Sequence, residues 1–156
     1  MGGHGGAGGS QSGPGGGGGH GGGGQGALVP SLAGMNLFID CMPIVSPDPI
    51  HGSFDAKYDN TAGKAADFAT IKSASLVMKG PNSMDTWTFT ATPKQSGSVA
   101  AGAVTKVMHT KDMGSGMGTG SPCNHCNDTW TLTVAWDVAG KTVQDTAGPV
   151  QVSCVF

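Results

Sequence analysis

Glutamate and arginine are both absent from this 156-residue chain: all ten acidic side chains are aspartate and all eight basic ones are lysine. Without arginine the chain lacks the planar, bidentate group that reads phosphates and base edges. The formal net charge is −2 and no basic stripe runs through the sequence, which argues against nucleic acid as a partner. The missing Glu and Arg, set beside many Thr, Val, Ser and Gly residues, argue against long surface helices. No stretch approaches the roughly 18 apolar residues of a transmembrane helix, so no transmembrane segment is expected. The first 26 residues also lack the basic and apolar regions of an export signal.

Glycine is abundant but unevenly placed. Residues 1–26 hold 17 of the 29 glycines, no charged side chain other than His4 and His20, and no large apolar group after Met1. Such a segment cannot bury enough surface to offset its ordering entropy. The sequence therefore predicts a disordered glycine-rich leader over residues 1–27 and one folded domain over 28–156. Within the domain, Leu37, Ile39 and Cys41 share a face of a strand expected over Met35–Val45, ahead of a Ser46-Pro47-Asp48-Pro49 turn. His51–Phe68 shows little alternation and reads as loops with a short strand near Phe54–Tyr58. Thr70–Met78, Asp85–Ala91 and Val99–His109 follow as strands, the last with a bulge near Gly102-Ala103. Lys111–Asn127 reads as a long loop.

Thr129–Val138 carries the clearest pattern, with Trp130, Leu132, Val134, Trp136 and Val138 on one face. Ala139-Gly140 turns the chain, a short extended piece covers Thr142–Gln144, and a last strand opens at Gly148-Pro149 with Val150, Val152, Cys154 and Phe156 in phase. Trp87, Trp130 and Trp136 lie in phase with their apolar neighbours and read as core. Six or seven short strands, each with one wet face, predict an all-β antiparallel β-sandwich.

Asp128–Val152 (DTWTLTVAWDVAGKTVQDTAGPVQV) resembles the last two strands of bacterial immunoglobulin-like modules, with Trp130 where that family usually has tyrosine and Asp137 with Gly140 matching its turn. The resemblance covers about 25 residues, and upstream of Thr70 the chain does not follow the family. It implies an immunoglobulin-like sandwich used for surface adhesion, spacing or carbohydrate binding, normally without catalysis.

Four cysteines in a small Thr- and Gly-rich chain favour an oxidising compartment, and four cysteines allow three pairings. Cys41 and Cys154 sit in strands near the two ends of the domain. In an immunoglobulin-like sandwich the first and last strands are often neighbours, so a Cys41–Cys154 disulfide is expected. Cys123-Asn124-His125-Cys126 reads first as a small-loop disulfide, or as two cysteines each paired elsewhere. A two-thiolate metal knuckle is the next reading, and redox-active thiol chemistry the last.

Soft ligands gather around this motif: Met108, His109, Met113, Met117, Cys123, His125 and Cys126, a set suited to Cu⁺. If Met1 is removed, the amine of Gly2, two backbone amides and His4 form a square-planar nitrogen set for Cu²⁺ or Ni²⁺. The plainer alternative is a mobile loop whose methionines bind nothing. No serine triad or paired-carboxylate frame is visible. The composition thus points to a secreted, periplasmic or cell-surface module that is structural or binding rather than enzymatic, needs no cofactor, and has other copies of itself or a larger surface assembly as partner. The alternative is a periplasmic or extracellular copper-binding protein.

Overall fold

The computed structural model describes residues 27–43 and 47–156. Ten strands run in chain order: β1 (Val29–Asp40), β2 (Ile50–Asp59), β3 (Ala69–Lys79), β4 (Met84–Phe89), β5 (Ala91–Thr92), β6 (Val104–Lys111), β7 (Met117–Gly118), β8 (Thr129–Val138), β9 (Lys141–Gln151) and β10 (Cys154–Val155). One turn of 3-10 helix, Pro122–His125, interrupts them. They form two five-stranded sheets, ordered β10-β1-β2-β6-β5 and β7-β4-β3-β8-β9. All pairings are antiparallel except β1 with β10. The protein is an all-β sandwich, as its alternation predicts.

Side chains of period two from each sheet meet in a single core. Trp130, Leu132, Val134, Trp136 and Val138 of β8 are buried, with Ala74, Leu76 and Met78 of β3 and Trp87 and Phe89 of β4 beside them. The facing sheet contributes Leu37, Ile39, Ile50, Phe54, Ala56 and Tyr58. All three tryptophans are core. Bulges reset the phase where alternation breaks. In β3 the register shifts between Ile71 and Ser73, so odd-numbered Ala69 and even-numbered Ala74 both face inward.

Five stretches differ from the sequence expectation. The strand expected over Met35–Val45 runs instead from Val29 to Asp40, and the strand expected from Val99 begins at Val104, with a turn at Ala101-Gly102 in place of a bulge. His51–Phe68, expected mainly as loops, supplies most of the ten-residue strand β2. Its Phe54, Ala56 and Tyr58 do alternate, but Gly52 and the polar residues between them hide the signal. Gly52 has φ +117°, and a Cβ there would lie 2.2 Å from the Asn36 carbonyl oxygen of β1, so a side chain is excluded at that crossing. Thr142–Gln144 and the strand expected from Gly148 are one strand, β9, kinked rather than ended at Gly148-Pro149. Lys111–Asn127 contains β7 and the 3-10 turn. The Ala139-Gly140 turn is as expected: both residues have positive φ, 49° and 81°, the twist of a two-residue hairpin loop.

Candidate functional site

The residues with most chemical potential collect at one end of the sandwich, where β1 and β10 leave their sheet beside the 3-10 turn. The turn starts with Pro122 in its first position, pre-set for helical φ and needing no donor. It carries Cys123 in its second position and Cys126 just past its last residue, and both are bonded outward. Cys41 pairs with Cys123 and Cys126 with Cys154, with Cα separations of 5.8 and 5.7 Å. No free cysteine is left among the described residues.

This corrects two expectations, a Cys41–Cys154 link and a small Cys123–Cys126 loop. The first and last strands are indeed neighbours, but the parallel register sets Ile39, not Cys41, opposite Cys154. A two-residue offset along the strand is about 6.6 Å, and lateral spacing adds about 4.8 Å, giving roughly 8 Å between Cα atoms. That exceeds the roughly 7 Å reach of a disulfide. The 3-10 turn bridges the offset by offering one cysteine to each strand. By loop-closure entropy the link spanning 82 residues stabilises by about 4–5 kcal/mol and the one spanning 28 by about 3–4 kcal/mol.

His125, between the two cysteines, is 1% exposed. Its Nδ1 lies 2.8 Å from Asp128 Oδ2 and its Nε2 2.7 Å from Asp85 Oδ2. Ionised carboxylates only accept, so facing two of them the ring is best matched by the imidazolium, in which both nitrogens donate. Burial on its own would lower its pKa; the hydrogen bonds and charges of the two aspartates outweigh this and raise it. The hydrogen bond from His125 correspondingly lowers the pKa of Asp85. Glycines make the room: a Cβ on Gly80 would lie 2.4 Å from Asp128 Oδ2, and one on Gly120 2.6 Å from Asp85 Oδ2.

His109 is buried at 0% exposure but sits in the middle of the core. Its Nδ1 is 2.5 Å from the Pro93 carbonyl, which can only accept, so that nitrogen carries the proton. Nε2 then accepts from the Tyr58 hydroxyl at 2.7 Å, and the Tyr58 oxygen accepts from Trp136 Nε1 at 3.1 Å. The ring stacks on Phe54 at 5.2 Å. Burial lowers the His109 pKa, against a backbone hydrogen bond that raises it. Burial also pushes Tyr58 up to about 12. The triplet is a closed donor–acceptor chain of neutral groups.

A third polar knot pins the glycine-rich loop. Lys111 Nζ is buried against Asp48 Oδ2, and Asp48 also accepts from the Gly116 amide at 2.7 Å. Asp112 accepts from the hydroxyls of Thr90 and Thr92 at 2.6 and 2.7 Å.

The sequence-selected copper ligands are divided by this geometry. Met108 is 60% exposed on the outer face of β6 while adjacent His109 points inward, because neighbours on a strand face opposite ways. Met113 and Met117 are exposed, Cys123 and Cys126 are oxidised, and both nitrogens of His125 are engaged. His4 lies outside the described residues. Sequence reasoning passed over Tyr58, Asp85 and Lys111, and placed Asp48 only in a turn. Only Asp128, three residues after His125, offered a local signal; the others meet their partners through pairings 40 or more residues apart.

An open groove of about 790 Å³ crosses β3 and β8 beside this end, lined by Val77, Lys79, Pro81, Asp128, Thr131 and Pro149. No family model matches the chain, and no curated protein or solved structure is significantly similar to it.

Proposed function

We propose that this chain is a non-enzymatic structural or binding module of an exported or surface-displayed assembly, with residues 1–27 as its tether or self-association arm. The observation that supports this most is the use made of the reactive side chains. All four cysteines, both histidines of the core and disulfide end, and the buried Lys111–Asp48 pair are committed to holding the fold together. Two disulfides are compatible with an extracellular or periplasmic site. Among the described residues no helix is long and apolar enough to cross a membrane.

Residues 1–26 of the leader lie outside the described residues, and the segment enters through its composition. Glycine chains adopt extended conformations and pack closely where no side chain intervenes. Each ordered residue costs roughly 1–2 kcal/mol, so only repeated contacts between copies offset that cost. Sedimentation of the full chain beside a chain starting at Leu28 tests the reading. The full chain is expected to self-associate or to attach to a larger assembly, and the shorter one to stay a folded monomer. Two monomers at every concentration, neither binding an assembly, remove the structural role. The copper reading has its own readout: stoichiometric copper in protein purified without chelator would favour it over the structural one.

A further inference from the structure

We propose that the four cysteines form a clip with two states: two disulfides when oxidised, and one tetrahedral Zn²⁺ site when reduced. The two disulfides are packed against each other rather than merely near. Cys41 Sγ and Cys126 Sγ, which are not bonded to one another, lie 3.9 Å apart. The sulfurs of Cys41, Cys126 and Cys154 all fall within 4.8 Å of one another; Cys123 is outside that group but bonded to Cys41, so once that bond is reduced its side chain has to turn inward to complete the set. In a four-thiolate zinc site with Zn–S near 2.3 Å, the edge of the sulfur tetrahedron is about 3.8 Å. The contact between the two disulfides already has that dimension.

The backbone that carries the sulfurs is held by bonds that reduction leaves intact. Cys41 N–H donates to the Val155 carbonyl and Ile39 N–H to the Ser153 carbonyl, both at 2.8 Å, which fixes β1 against β10. The 3-10 turn is fixed by His125 between Asp85 and Asp128. The turn carries Cys123 in its second position and Cys126 just past its end, so one four-residue segment brings a sulfur to each of the two strands. All four cysteines are only partly buried, so a reductant and a hydrated ion can reach them. Zinc, with no redox chemistry and a preference for tetrahedral thiolates, suits the set.

The exchange balances. Each disulfide takes two electrons and two protons from one dithiol reductant, which becomes a cyclic disulfide, and yields two thiols. Binding Zn²⁺ to the four thiols then releases four protons.

The test uses the full chain, reduced with a dithiol, desalted without oxygen and titrated with Co²⁺ and then Zn²⁺. The expected result is one Co²⁺ per chain with the visible bands of a tetrahedral, sulfur-rich ion, displaced by one Zn²⁺, and a higher melting temperature than the reduced metal-free chain. Near-UV circular dichroism of the tryptophans should match the oxidised protein once zinc is bound. A reduced chain that unfolds without metal keeps the experiment readable, since zinc must then restore that signal. Cys41→Ser and Cys154→Ser should each weaken Co²⁺ by more than about tenfold, because even the outer partners of a metal ligand are worth that much. Absence of the tetrahedral bands overturns the proposal. So does binding that Cys41→Ser and Cys154→Ser leave unchanged, or binding that occurs only to a chain without the native tryptophan signal.

Discussion

His109 and His125 are 0% and 1% exposed, yet their surroundings move their protons in opposite directions. Around His109 lie a carbonyl, a phenol and an aromatic face, so burial prevails and the ring stays neutral. Around His125 lie two carboxylates, which favour the charged ring despite the same loss of water. Burial alone therefore says little about a histidine; the acceptor or donor character of its two partners decides. The two regions also differ in what fixes them. The interior is held by packing of β2, β6 and β8, whereas the end around His125 is a short turn fastened by covalent links and a charge clamp.

The most severe way to test that difference is to remove the covalent links. Cys41→Ser with Cys123→Ser should cost about 4–5 kcal/mol in urea unfolding, a large share of the stability of a domain this size. The near-UV signal of the core tryptophans should survive wherever the variant remains folded. If the core signal disappears while secondary structure persists, the two regions are not separable.

A smaller loss is expected in the interior. Tyr58→Phe removes the hydroxyl between His109 and Trp136, leaving a buried acceptor and a buried donor without partners. The expected cost is about 1–3 kcal/mol, and a change within a few tenths would mean that water or a rotated ring replaces the hydroxyl.

The subtlest test is the pH dependence, where the two histidines have opposite signs. For His125 the folded pKa is raised, so its stabilisation is complete below the ordinary 6.5 and is lost as pH rises through the folded value. For Asp85 the folded pKa is lowered, so its share is present above the ordinary 3.8 and is lost as pH falls through the folded value. Asp85→Asn should therefore lower the unfolding midpoint most between about pH 4 and 6.5, and less at pH 9. His109 works the other way. Its lowered pKa makes the unfolded chain take up the proton first, so stability falls as pH drops below 6.5. His109→Gln, although destabilised throughout, should show a flatter profile between pH 6.5 and 5. Equal slopes for the two variants would erase the contrast between the sites.

Much of the scaffold was legible because it rests on local period. Trp130 to Val138 alternates without interruption, and Ala139-Gly140 has the small residues its turn requires. The even number of cysteines and the bare glycine leader followed from composition alone. β2 escaped because Gly52 and its polar neighbours mask a real alternation, and β9 was broken in two because Gly148-Pro149 marks a kink as readily as an end.

What the chain's sequence decided by itself is therefore the class of the fold, the identity of its aromatic core and the supply of four oxidisable sulfurs. Which sulfur joins which was decided by a two-residue offset in the register of β1 against β10, together with the placement of one 3-10 turn. The charge of each buried histidine, and the division of the methionines, histidines and cysteines among surface, core and disulfides, were decided by partners that arrive from distant strands. The physical reason is the same in each case. Alternation is a property of neighbouring residues, while sulfur pairing and protonation depend on ångström distances between segments that only the folded sheets bring together.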